Sequence, residues 1–443
     1  MSSIAPAKPS MLSFLGKGQQ RKVILSSYLG STIEFYDLIL YATASAVVFG
    51  PVFFSTLDPR AATVASLATF AAAYLARPIG GIVFGHFGDR IGRKKMLMIS
   101  MAMMGIASFL VGLVPAIPIW GALMLVILRV IQGIAIGGEW GGAALMSLEH
   151  ADDHNRGLAA SFTNAGGPSG AFIGTSALAL AALLPQEDFM SWGWRIPFLA
   201  SLLLLVIGLY IRAQVVESPV FERAMALQEA KDAEKKKNEL PLMEVLRRPG
   251  TLLVVAFSLI GAFAIQALFS TFGVTYAVEH GVSRPDALWA FAISQLIAAI
   301  TIPIAAGISD KVGRKPVILV GLIGMLVLAY PVFWLLGSGN WGLVILGFVL
   351  ALPLCQSCTM GPMAAFLAEN FSTTSRYTGA SLGYQIASLL GAGFTPVIAA
   401  SLFAATHGAI WGVLVFLMVG CAISIVVLAG FARESRHRDL VAG

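Results

Sequence analysis

Twelve runs of mainly apolar residues fill almost the whole chain, at about 23–55, 62–85, 96–115, 118–148, 157–184, 193–213, 250–278, 287–307, 316–337, 341–367, 377–404 and 408–432. In a lipid interior every backbone N–H and C=O must find its partner within the protein, and a run of roughly 20 such residues does so as a helix. Composition agrees, because 57% of the 443 residues are hydrophobic and only 12% are charged, against roughly 25% charged in soluble domains. The chain reads as an all-α integral membrane protein with twelve transmembrane helices.

The basic residues set the expected orientation. All 29 Lys and Arg except Arg60, Arg77, Arg129, Arg195 and Arg284 fall in the N-terminal tail, the segments near 90, 156, 311 and 376, the polar interval 212–248 and the C-terminal tail. Positive segments stay in the cytoplasm, so both termini are expected there. The first run is too long for a signal peptide and lacks a small-residue cleavage site. The formal net charge of +6 follows from this topology and gives no reason to expect a nucleic-acid partner.

Two charged constellations recur at one spacing. Gly85-His86-Phe87-Gly88-Asp89-Arg90-Ile91-Gly92-Arg93-Lys94-Lys95 returns in weaker form as Gly307-Ile308-Ser309-Asp310-Lys311-Val312-Gly313-Arg314-Lys315, with Asp89 and Asp310 separated by 221 positions. Glu149 and Arg156 return as Glu369 and Arg376, each 220 positions on. Such doubling predicts two pseudo-symmetric six-helix bundles, the internal repeat typical of secondary transporters. The expected organisation is a flexible tail over 1–22, an N-terminal bundle over 23–213, a cytoplasmic linker over 214–249, a C-terminal bundle over 250–432 and a tail over 433–443.

Charge inside the spans is lopsided. Glu34, Asp37, Arg77, Arg129 and Glu139 all belong to the first half, whereas the second-half spans carry only neutral polar groups such as Gln266, Ser270, Gln295, Gln356, Tyr384 and Gln385. Counting about 1.5 Å per residue from the helix ends places Glu34, Asp37 and Arg129 near the bilayer centre, where each bare charge costs roughly 2.5–3.5 kcal/mol on insertion scales. Glu34, Asp37 and Tyr41 share a helical face by spacing, as do Arg129, Gln132 and Glu139. A guanidinium at that depth wants a carboxylate, from Glu34, from Asp37 or from a bound anion. Arg77, nearer the helix end, is expected to reach a carbonyl or the interface. Asn164 sits in a Gly- and Pro-rich stretch that reads as a packing and bending element with a polar lining. Cys355 and Cys358, a C-x-x-C inside a span, read as small packing residues.

The charged repeat carries a resemblance. Gly85-x2-Gly88-Asp89-Arg90-x-Gly92-Arg93-Lys94 resembles the segment between the second and third helices of the major facilitator superfamily, and Asp310 to Lys315 resembles its second-half partner. This resemblance implies the major facilitator fold and a cytoplasmic gate built from Gly85, Gly88, Asp89, Arg90, Gly92, Arg93, Glu149, Arg156, Asp310, Gly313, Arg314, Glu369 and Arg376, which latches that side in the outward-facing state. Ile33-Glu34-Phe35-Tyr36-Asp37, Leu75-Ala76-Arg77-Pro78, Gly137-Gly138-Glu139-Trp140-Gly141-Gly142 and Trp192-Gly193-Trp194-Arg195-Ile196-Pro197-Phe198 resemble the bacterial metabolite:proton symporters through nearly all twelve spans. Gly379-Ala380-Ser381-Leu382-Gly383-Tyr384-Gln385 and Gly393-Phe394-Thr395-Pro396 are most similar to the shikimate carriers of that family. The bacterial cytoplasmic (inner) membrane is the location implied.

No G-x4-G-K-[ST] occurs to cradle ATP phosphates, so an ion gradient is the expected energy source. Proton coupling needs a carboxyl that titrates near neutral pH, and burial is the physical means. Asp37, with Glu34 as alternate, is expected to take the proton and thereby free Arg129 to hold a substrate carboxylate. Tyr41, Gln132, Asn164, Gln266, Gln356, Tyr384 and Gln385 would complete the substrate site by hydrogen bonding. The expected partners are protons, a small organic acid of shikimate-like class and the lipid bilayer; the protein is expected to be a monomer and not an enzyme, with neither metal nor organic cofactor. Rival readings are an antiporter or exporter on the same fold, a carrier of a zwitterion such as proline or betaine, and a transporter-like sensor.

Overall fold

The structure, a computed structural model of the chain, describes residues 19–91, 93–137, 147, 156–213, 245, 247, 249–371 and 376–436. Their secondary structure is entirely helical. The first half contains α1 (Gln19–Val47), α2 (Pro59–Ile91), α3 (Arg93–Leu113), α4 (Trp120–Gly137), α5 (Arg156–Ala181) and α6 (Arg195–Ala213). In the second half α7 (Pro249–Ser270, continued by Phe272–Glu279), α8 (Arg284–Val312) and α9 (Arg314–Leu336) are followed by two interrupted helices. α10 runs through Trp341–Val349, a π segment at Leu350–Gln356, and Ser357–Glu369; α11 runs through Arg376–Ser388, a π segment at Leu389–Gly393, and Thr395–Ala405. α12 is Trp411–Gly430.

Ten of these helices, all but α1 and α5, are long and apolar enough to cross a membrane. The two exceptions, though 29 and 26 residues long, carry the polar residues. α1 holds Glu34, Asp37 and several hydroxyl groups; α5 holds Ser161, Thr163, Asn164 and Ser169. Both are largely buried among other helices, so most of their surface need not be apolar. The peripheral helices show the reverse pattern. α6 exposes Leu202, Leu203, Val206, Ile207 and Tyr210, and α9 exposes Val320, Ile323, Val327, Tyr330 and Trp334, large apolar stripes suited to a lipid-facing surface.

Packing partners repeat at an offset of six helices. α1 lies on α5 as α7 lies on α11, α2 on α4 as α8 on α10, and α3 on α6 as α9 on α12. Between the halves, α5 packs on α8, and its symmetry counterpart α11 packs on α2. Small residues make the tightest of these contacts possible. A Cβ on Gly133 or Gly137 of α4 would run into the backbone carbonyl of Ala73 or Arg77 of α2; one on Gly170 would meet that of Thr32, and one on Gly361 that of Ile302. The glycines of α5 are thus a packing element against α1, as their composition indicates.

The first charged repeat departs from expectation. The sequence predicts a loop over 85–95, but α2 continues helically to Ile91 and α3 begins at Arg93. Phe84, Phe87 and Ile91 keep helical spacing and no proline intervenes before Gly92, so nothing in the stretch stops the helix. In the second copy α8 likewise runs to Val312 and breaks at Gly313, whose φ of +108° suits glycine alone. At the other end of α8, the Ser283 side chain accepts from the Asp286 backbone N–H, an N-cap legible in Ser283-x-x-Asp286.

Candidate functional site

A chain of polar contacts crosses the middle of the first half. Asp37 of α1 is 3% exposed, and Ser201 of α6 donates to its Oδ1 at 2.6 Å. The Ser108 hydroxyl of α3 lies close enough to the same carboxyl to influence it. Gln132 of α4 donates through Nε2 to Ser108 Oγ at 2.6 Å and accepts through Oε1 from Arg129 Nη1 at 2.9 Å. The Arg129 guanidinium lies 4.0 Å above the Tyr41 ring and 5.3 Å from that of Phe70. Tyr41 in turn donates to Thr69 Oγ1 at 2.8 Å. Gln132 and Ser108 thus carry the contacts of Arg129 towards Asp37.

Arg129 is fully enclosed, and its Nε and Nη2 have no partner among the described residues. A buried guanidinium that keeps unpaired donors is costly, and an anion is what would relieve that cost. The rings beneath it supply cation–π attraction but do not engage the in-plane N–H groups of Nε and Nη2.

Glu34 and Asp37 diverge despite their spacing. Asp37 turns into its own half towards α3 and α6, whereas Glu34, 4% exposed, lies within electrostatic reach of Tyr384 on α11. Among the other expected substrate ligands, Asn164 donates to the Met360 carbonyl across the two halves at 2.8 Å. Gln385 donates from α11 to the Gly137 carbonyl at 3.2 Å. Gln356 is buried within the π segment of α10, Tyr384 packs edge-on against Phe263, and Gln266 is half-buried on α7. Ser108, Ser201 and Thr69, hydroxyls in apolar helices that carry no sequence signal of their own, belong to the same polar region. Among the described residues Arg77 meets no carbonyl, and it stacks 3.9 Å over Tyr74.

One end of the molecule is held by a second cluster. Arg314 Nη1 pairs with Asp310 Oδ1 at 2.6 Å and Nη2 with Glu369 Oε1 at 3.2 Å. The Asp310 carboxylate also accepts from the backbone N–H groups of Gly157 and Leu158 at 3.1 and 2.9 Å, so it caps the first turn of α5 in the other half. Arg156 starts that same helix. Gly85, Gly88, Asp89 and Arg90 fall at the end of α2 and Arg93 at the start of α3; their side chains, Gly92, Glu139, Glu149 and the Arg376 side chain lie outside the described residues. At the opposite end, Arg284 donates to Gln186 Oε1 at 3.2 Å and Thr275 to the Ala46 carbonyl at 3.3 Å, again between halves. Trp194, enclosed by Phe49, Phe53 and Phe198, anchors Arg195, which donates to the Gly112 and Val114 carbonyls and caps the C-terminus of α3.

A helical bundle of two facing halves, with buried acids and guanidiniums at mid-depth and separate closures at each end, is the build of a multi-pass membrane transporter. The chain belongs to the Major Facilitator Superfamily, whose sequence profile matches residues 38–392 and 259–441. An inner membrane metabolite transport protein of Escherichia coli strain K12 is 39% identical over 434 residues, spanning 95% of this chain and 96% of that one. The shikimate transporter of the same strain is 36% identical over 417 residues, spanning 93% and 94%. A proline/betaine transporter of that strain is 32% identical over 443 residues, spanning 97% and 86%. Among solved structures, the xylose transporter of E. coli in a partially occluded inward open conformation superposes with a TM-score of 0.75 over 97% of this chain and 100% of that chain. At 19% identity that likeness concerns the fold alone.

Proposed function

We propose that this transporter is a proton-coupled symporter that carries a small organic acid of the shikimate-like class across the bacterial cytoplasmic membrane by alternating access. In this reading twelve spans form two bundles with both termini in the cytoplasm, and the Asp310–Arg314 end is the cytoplasmic gate. The protein works as a monomer. The supporting observation is the enclosed Arg129, which retains donors unpaired among the described residues while the nearby acid Asp37 is held by the Ser201 hydroxyl rather than by the guanidinium.

That arrangement lets proton and substrate be exchanged through one relay. Protonation of Asp37 changes what Ser108 must donate to or accept from, Ser108 repositions Gln132, and Gln132 sets whether Arg129 Nη1 is occupied. The substrate carboxylate then takes the vacant donors, and with charge balanced the halves can rock. Tyr41, Asn164, Gln266, Gln356, Tyr384 and Gln385 are assigned to substrate recognition. The names of the relatives, shikimate among them, support the substrate class.

The test is uptake into vesicles with an imposed inward proton gradient. Wild-type protein should accumulate shikimate, by about tenfold for each unit of pH difference if one proton accompanies one monoanion. Asp37→Asn should lose accumulation against a gradient but keep exchange of labelled for unlabelled substrate. Undiminished accumulation by both Asp37→Asn and Glu34→Gln would reject the proton route.

A further inference from the structure

We propose that Arg77 and Gln385 extend the Arg129 site into a recognition subsite for hydroxylated carboxylates at the seam of α2, α4 and α11, in which the carboxylate drawn to Arg129 also engages Arg77 and a ligand hydroxyl donates to Gln385 Oε1. The proposal rests on the organic-acid reading above and sharpens it. Arg77 is 3% exposed, and its Nε and Nη2 have no partner among the described residues. Tyr74 lies against one face of the guanidinium, which leaves the in-plane donors open. Arg77 also lies within electrostatic reach of Arg129 and of Tyr384, so a second positive charge adds to the pull on an anion there.

Gln385 presents the complementary vacancy. Its Nε2 donates to the Gly137 carbonyl, which requires a donor and so assigns the amide orientation; its Oε1, in a side chain 3% exposed, has no partner among the described residues. The two vacancies occupy one seam. Gly137 is the point where α4 meets the Arg77 backbone, and Tyr74, three residues before Arg77, packs on Gly393 of α11. An orphaned cationic donor and an orphaned neutral acceptor on the same three-helix seam, not bonded to each other, call for a ligand that accepts at one atom and donates at another. A hydroxy acid does both. A plain carboxylate satisfies only Arg77, and betaine has no hydroxyl to give. Because Gln385 comes from the second half and Arg77 from the first, the subsite is complete only where the halves meet.

Calorimetric titration of the full chain in nanodiscs with shikimate and with cyclohex-1-ene-carboxylate, the same ring without hydroxyls, tests this. Wild type should bind shikimate at least tenfold more tightly than the deoxygenated acid. Gln385→Met should erase that preference while leaving affinity for the deoxygenated acid within twofold, and Arg77→Gln should weaken both by tenfold or more. Arg77→Lys, which keeps the charge but not the planar fork, should fall between, and the thermal melt of each variant reports its folding. If Arg77→Gln does not fold, Gln385→Met alone carries the result. Wild-type affinities in both variants would overturn the subsite and leave the proposed function standing, whereas wild-type preference for α-ketoglutarate or betaine over shikimate would overturn the subsite together with the substrate class. Binding of no carboxylate by wild type would overturn both.

Discussion

Glu434 holds the start of α9 in place: its Oε1 accepts from the backbone N–H groups of Arg314, Ser435 and Arg436, and its Oε2 from that of Lys315. Partial burial works against its ionised form, but the N–H groups of Arg314, Arg436, Lys315 and Ser435 outweigh it and hold the carboxyl below the ordinary value of 4.5. A carboxyl whose pKa is depressed by folding stabilises the fold above its unfolded value and loses that contribution as pH falls through the folded one. The difference in Tm between wild type and Glu434→Gln should therefore be full at neutral pH and close as the pH is taken from 4.5 downwards. A difference independent of pH would show that the carboxylate's charge is irrelevant there. Legibility at this scale follows cost. Asp37, Arg129 and Glu34 stand out in sequence because a charge at mid-membrane demands an explanation. Ser108 and Ser201 do not, since a hydroxyl in a helix can be satisfied by its own preceding turn, as Thr43 and Ser258 are. Which serine leaves its helix for a neighbour's carboxylate is decided by packing.

Helices were legible because their apolar runs have the length of a span, and their partners because the chain repeats. Their ends were less so, for charged residues near 85–95 look like loop by composition while their spacing continues the helix. The π segments at Leu350–Gln356 and Leu389–Gly393 left only a proline or paired glycines as trace. Tightness of packing is the element-scale property that sequence conveys best, through glycine. Gly133→Ala would set a methyl group against the Ala73 carbonyl and force α2 and α4 apart. Overpacking of this kind costs about 1–3 kcal/mol, and a clear fall in Tm is expected. Gly420→Ala on α12, where a Cβ meets nothing within 4 Å, should be neutral or raise stability by up to about 1 kcal/mol, because alanine is the better helix former. Equal behaviour of the two variants in a thermal melt would mean that the close approach of α2 and α4 is not constraining.

For the whole molecule, what matters about a contact is whether its partners move together. Arg314, Glu369, Glu434 and Ser435 all belong to the second half, so Glu434 on Arg314 and Ser435 on Glu369 stiffen that half without tying it to the other. Asp310 is different, for it is bound to Arg314 within its half and to the first turn of α5 across the boundary. A carboxylate at a helix N-terminus contributes about 0.3–1 kcal/mol when exposed and up to about 2 when partly buried, and every 1.4 kcal/mol is about a factor of ten in population. Asp310→Asn removes the charge but keeps the shape, so it should shift the equilibrium towards opening at that end by about twofold to thirtyfold. Spin-label distances between the start of α5 and the end of α8 would read this as growth of the longer-distance population. Glu434→Gln, a few ångströms away in the same cluster, should lower stability and leave that distribution unchanged, because neither side of the contact it breaks crosses between the halves. Equal shifts from the two variants would show that the cluster acts as a single lock and that its division into an internal brace and a cross-half latch is mistaken.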